Sequence, residues 1–156
     1  ISASDEFQPG TVFYVPNTVV AVWLGDLGAL GKIVVGWNKD IHYLRDNGFH
    51  VVEVETVDDA GSHLRNDFED KSLHGLFVTG HGGPDSDIAN SSGEHLPLWL
   101  AFISDWHYRL GLVILNVCYG QRYGRDWVSE NGHLLASEGV LIPPFQMHSP
   151  SELQLR

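Results

Sequence analysis

LHGLFVTGHGG at residues 73–83 and LGLVILNVCYG at residues 110–120 decide the fold. Leu73 to Thr79 is strongly apolar and stops at Gly80-His81-Gly82-Gly83-Pro84, a loop that no strand or helix tolerates. Leu110 to Val117 is the most hydrophobic stretch of the chain and stops at Cys118-Tyr119-Gly120. An apolar run without alternation is what a strand buried on both faces of a parallel sheet requires. Each strand therefore carries a reactive residue, His81 or Cys118, just past its carboxyl end.

Outward from these runs, strands alternate with helices. Thr11 to Val15 and Val19 to Leu24 read as strands around a Pro16-Asn17 turn, the first a hairpin partner or an edge strand. Gly25 to Gly31 reads as a glycine-interrupted turn. Ile33 to Trp37 is either a short strand or the lead into the next helix. Asp40 to Asn47 has helical spacing and stops at Gly48. Phe49 to Val54 is a strand, and Asp58 or Asp59 can cap a helix running to about Phe68. Asp85 to Glu94 reads as a polar surface loop. Leu96 to Tyr108 has helical spacing, a short helix is expected around Asp126 to Ser129, open to continuation over His133 to Ser137, and Gly139 to Ile142 reads as the last strand. This alternation predicts an α/β three-layer sandwich with a mainly parallel central sheet.

Composition narrows the function. The 156 residues suit a single domain, with residues 1–18 and 143–156 expected as loosely attached ends. The chain opens on Ile1 and a polar, acidic stretch, which reads as a trimmed, processed or excised piece, with flanking domains left open. No run reaches the ~18 apolar residues of a membrane span, so no membrane partner is expected. A net charge of −11 argues against nucleic acid. The single cysteine forbids an internal disulfide and, with no signal peptide visible, fits a cytoplasmic setting. No His or Cys spacing makes a metal site, and no Lys follows the glycines to make a phosphate loop, so no cofactor is expected.

A lone cysteine is most simply a small buried hydrophobe. Its place after a buried strand changes that reading, because sites in open α/β sheets form at the carboxyl ends of strands. If the two strands are neighbours, His81 and Cys118 stand roughly 5–10 Å apart, the spacing a thiol and its base need. Gly82, lacking a side chain, can bring its N–H close to a substrate oxyanion, and the Cys118 N–H is the natural second donor. His74-Gly75 is a second His-Gly pair, but it opens its strand and lies at the opposite edge.

A hydrophobic strand ending in His-Gly, followed by one ending in Cys, resembles the signature of the caspase-like (clan CD) cysteine peptidases. The segments that match are LFVTGHG at 76–82 and LVILNVCYG at 112–120, the second most similar to the CHAT and metacaspase versions. The resemblance implies a caspase-like fold and a cysteine endopeptidase acting on a peptide or protein substrate. It implies Cys118 as nucleophile, His81 as general base or acid, and Gly82 with Cys118 as oxyanion hole. Asn116, two residues before the cysteine, takes the place that often lines the S1 pocket, and Asp85 and Asp87 could help hold a basic side chain or a cation. Val117 stands where the family often has a small residue, and only 38 residues follow Cys118. The alternative is accordingly a non-catalytic caspase-like interaction domain of a larger signalling, immunity or toxin protein. A glutamine-type amidohydrolase is disfavoured because its His follows its Cys.

Overall fold

The computed structural model describes residues 16–69, 72–84, 86–96 and 110–154. The expected strand Thr11–Val15 lies outside them, as do Asp85 and all but the first residue of the expected helix Leu96–Tyr108. In chain order the elements are β1 (Thr18–Trp23), α1 (Gly28–Val35), α2 (Trp37–Asp46), β2 (His50–Val54), α3 (Val57–Glu69) and β3 (Leu73–Thr79). They continue with β4 (His81–Gly83), β5 (Ser86–Ala89), β6 (Leu110–Asn116), α4 (Gln121–Trp127), β7 (Val128–Ala136) and a 3-10 helix (Pro150–Leu153).

Five strands form one sheet in the order β2-β1-β3-β6-β7, and each of its pairings is parallel. Parallel strands need covered faces, and both are covered here. Val19, Ala21, Trp23, Phe77, Leu112 and Ile114 share one core with Trp37, Ile41 and Leu44 of α2. Their neighbours Val20, Val22, Leu76, Val78, Val113 and Leu115 share the other with Val57, Ala60 and Leu64 of α3 and with Trp127 of α4. Strand residues thus alternate between two cores, and the molecule has three layers, α/β/α. The Trp37 ring stacks on Phe77 at 4.8 Å and meets Trp23 edge-on at 5.3 Å, which fixes α2 to the sheet.

The structure departs from the sequence reading in several places. Gly28 to Val35 is helical, so the expected turn is shorter and Ile33–Trp37 is no strand; Gly36, at φ 74°, breaks α1 from α2. Thr56, and neither aspartate, caps α3 by accepting the Asp59 N–H. His81–Gly83 is no loop but pairs antiparallel with β5. The stretch after it is more than a surface loop, since β5 buries Ile88. The last strand is Val128–Ala136, where a helix was expected, and 139–142 is not a strand. Pairing with β6 outweighs the mixed polarity of 128–136 because an edge strand need bury only part of its surface. Finally, the segment after Pro143 is held against the sheet. The Asn116 amide donates to His148 O at 2.9 Å and accepts from His148 N at 2.7 Å, and a capping box on Ser149 opens the 3-10 helix beside α2.

His74 sits at the amino end of β3 and stacks on Phe49. Burial, then the nearby His133, lowers its pKa and favours the neutral ring. Asp40 of α2 is buried and accepts a 2.6 Å hydrogen bond from the Ser149 hydroxyl. Burial pushes its pKa up to about 6, against the pull of Ser149 and Lys39.

In the unfolded chain this carboxyl titrates near 3.8. Between about pH 4 and 6 the folded chain therefore holds more protons, and stability falls as pH rises through that window. The loss is complete above about pH 7 and is no more than roughly 3 kcal/mol. Urea unfolding of Asp40→Asn beside the parent should show the variant gaining relative stability from about pH 4 to 7 and no more beyond. A pH-independent difference would contradict this account of Asp40.

Candidate active site

The site begins with register. β3 and β6 are neighbours, paired from Gly75 with Leu112 to Thr79 with Asn116. The Gly80 N–H still donates to Asn116 O at 3.1 Å. The two chains thus leave the sheet side by side, and His81 and Cys118 stand two residues past the last rung on adjacent strands, whose spacing is about 4.8 Å.

Contacts beyond the sheet hold the two exits together. A side chain on Gly82 would come within 2.5 Å of the Cys118 carbonyl oxygen, so only glycine allows this approach. The Tyr123 hydroxyl of α4 donates to Gly83 O at 2.9 Å, and the Arg122 guanidinium donates to Pro84 O. The helix that follows the cysteine thereby grips the hairpin that carries the histidine. Tyr119, at φ 59°, makes the sharp turn from β6 into α4. Its N–H donates to Gly139 O at 2.8 Å, and Leu141 N–H donates to Cys118 Sγ at 3.4 Å. The stretch 139–141 thus clasps the cysteine turn.

The His81 ring points elsewhere. Its Nε2 lies 3.1 Å from Asp26 Oδ1. Asp26 follows β1, the strand on the other side of β3, so three neighbouring strands send one residue each to the same edge. The Asp26 loop is held by α1, where Gly31 packs so closely that a Cβ would meet Asp26 O at 2.1 Å. Both members of the pair are about half exposed, 49% and 54%, so it orients the ring more than it stabilises the fold. Among the described residues no hydrogen bond joins His81 to Cys118, whose half-buried thiol is engaged with Leu141.

Beside His81 opens a cavity of about 300 Å³. Its floor is the last rung of three adjoining strands, Trp23 paired with Thr79 and Thr79 with Asn116. Asp26, Val34 and the Pro143–Met147 segment stand around it. Asn116 lines the cavity, but both polar ends of its amide are committed to His148. Asp87 lies half-buried on β5 in the His81 hairpin, and Asp85 is outside the described residues. Among the described residues no group of three or more His, Cys, Asp or Glu is placed to hold a metal ion. No protein-family model, curated protein or solved structure matches this chain.

Sequence reasoning missed Asp26 and the clasp at 139–141. Asp26 did carry a signal, an acidic residue between Gly25 and Gly28 directly after a buried strand. The clasp carried none, since it rests on backbone groups.

The close approach at Gly82 yields a prediction. Gly82→Ala forces the His81 hairpin off the Cys118 carbonyl and should cost roughly 1–3 kcal/mol. Gly139→Ala, where an added Cβ meets nothing within 4 Å, should be nearly silent. Equal unfolding midpoints for Gly82→Ala and the parent would show that the two exits do not touch.

Proposed function

We propose that the chain is a caspase-like cysteine endopeptidase. The observation that carries this reading is that Asp26, His81 and Cys118 follow the carboxyl ends of three adjoining parallel strands, with the Asp26 carboxylate on the His81 ring. The order of elements and the His-Gly then Cys pattern support the same family.

The chemistry follows from the orientation of the ring. With Nε2–H donating to Asp26, the neutral imidazole presents its Nδ1 lone pair as the base. The reading requires the Cys118 side chain to rotate away from Leu141 and meet the imidazole. Nδ1 takes the thiol proton, and the thiolate attacks the peptide carbonyl carbon. The oxyanion that develops is met by the N–H groups of Gly82 and Cys118. Collapse breaks the C–N bond, the amine leaves with the proton from His81, and a thioester remains on Cys118. Water, deprotonated by His81, then releases the carboxylic acid and restores the thiol. Asp26 keeps the ring in the useful tautomer and supports its positive charge, so it is a positioning residue.

One observation favours the alternative, an interaction domain that has kept the pair without its activity. The thiol is engaged with Leu141, and among the described residues no hydrogen bond joins it to the imidazole.

The two readings part on cleavage of a mixed peptide library followed by mass spectrometry. The peptidase reading expects defined new termini, none with Cys118→Ala, and a loss of about 10²–10⁴-fold with His81→Ala. Asp26→Asn should lower kcat more than KM. Cleavage unchanged in Cys118→Ala overturns the proposal, as does a library left intact by the parent protein.

A further inference from the structure

Among the described residues, the large apolar side chains left exposed lie on two segments. Leu27, Leu30, Ile33 and Val34 belong to α1 and the turn before it, and Val140, Ile142 and Phe145 to the stretch after β7, with Phe145 91% exposed. A surface helix ordinarily turns its apolar side chains inward. α1 does the reverse, burying Gly31 and presenting Leu30, Ile33 and Val34 to solvent. The two segments border one cavity: Leu27 and Val34 line it, as do Pro143 and Pro144, which lie between Ile142 and Phe145 in the chain. They also carry little charge. Residues 139–147 hold no Asp, Glu, Lys or Arg, and the single charged residue of α1, Lys32, is paired with Glu55.

We propose that a second copy of this chain covers the patch, in a two-fold dimer with α1 and the 140–145 stretch of each chain at its centre. Two observations select a copy over other occupants. The first is area. The seven side chains present on the order of 900 Å², above the ~300–600 Å² of a typical monomer's largest patch and near the ~800 Å² that each partner gives a standard interface. The second is charge. A two-fold contact sets a patch against itself, so any charge in it opposes its own kind. An apolar patch whose lysine is paired escapes that penalty, whereas the rest of a chain of net charge −11 does not. A membrane fits less well, because an anionic lipid surface repels that net charge and the patch's lysine is held by Glu55. Such a dimer has a salt signature. Screening weakens the repulsion between two acidic chains and leaves apolar burial intact, so the dimer tightens as salt rises. Dimerisation of this kind does not depend on whether the chain cuts peptides.

Sedimentation equilibrium of the full chain, from about 1 to 200 μM, tests this. The expected result is a reversible monomer–dimer equilibrium with a micromolar Kd, tightened several-fold between about 0.05 and 0.5 M NaCl. Ile33→Ser and Phe145→Ser lie on different segments, and both residues are exposed, so their unfolding midpoints should match the parent's. Each should nonetheless weaken the dimer by about tenfold or more. His63→Ser, at an exposed position of α3 on the opposite face of the sheet, should leave it unchanged. A chain that stays monomeric over the whole range overturns the proposal. So does a dimer indifferent to both patch variants, which would place the contact elsewhere, at the open edge of β2 or β7. Binding to phosphatidylcholine vesicles that both variants abolish, with no dimer in solution, assigns the patch to a membrane and overturns it as well.

Discussion

The parallel pairing of β3 with β6 is the constraint on which everything else rests. It runs from Gly75–Leu112 to Thr79–Asn116, and between those end rungs both strands are apolar because both faces are covered. A slip of one residue would turn every side chain of a strand to the opposite core. The register is therefore fixed by the two hydrophobic layers, far more firmly than any polar contact could fix it. Its consequence is chemical. Strands locked in step end in step, and His81 and Cys118 leave the sheet as neighbours.

The last rung then acts twice. Through Thr79 and Trp23 it floors a cavity, and through Asn116 it holds the chain that walls that cavity. The amide of Asn116 treats His148 as a strand would, with one bond given and one received. Ser149 adds a bond to the buried Asp40, and Leu141 touches the thiol itself. Residues 139–141, after Cys118, act as a clasp over the cysteine turn.

The sequence was most legible where burial is complete. Leu73–Thr79 has the bounds expected from its pattern and Leu110–Asn116 differs by one residue, because runs apolar on both faces leave one reading. The placement of His81 and Cys118 followed from those strands and from the glycines around the histidine. Legibility failed at the margin of the sheet. Val128–Ala136 mixes Glu130, Asn131 and His133 with Leu134 and Leu135, and only its contact with β6 makes it a strand. The Pro143–Leu153 segment looked loose because its anchors, Asn116 and Asp40, are distant in the chain. Asp26 was passed over for the same reason, since its partner His81 lies 55 residues away.

The central claim is that His81 activates Cys118. An acyloxymethyl ketone peptide, followed by intact mass, measures it most directly. The account predicts one thioether adduct per chain, on Cys118, formed far faster than on free cysteine and slowed at least about a hundredfold by His81→Ala. Adduct formation at the rate of free cysteine, equal in the parent and in His81→Ala, would contradict it.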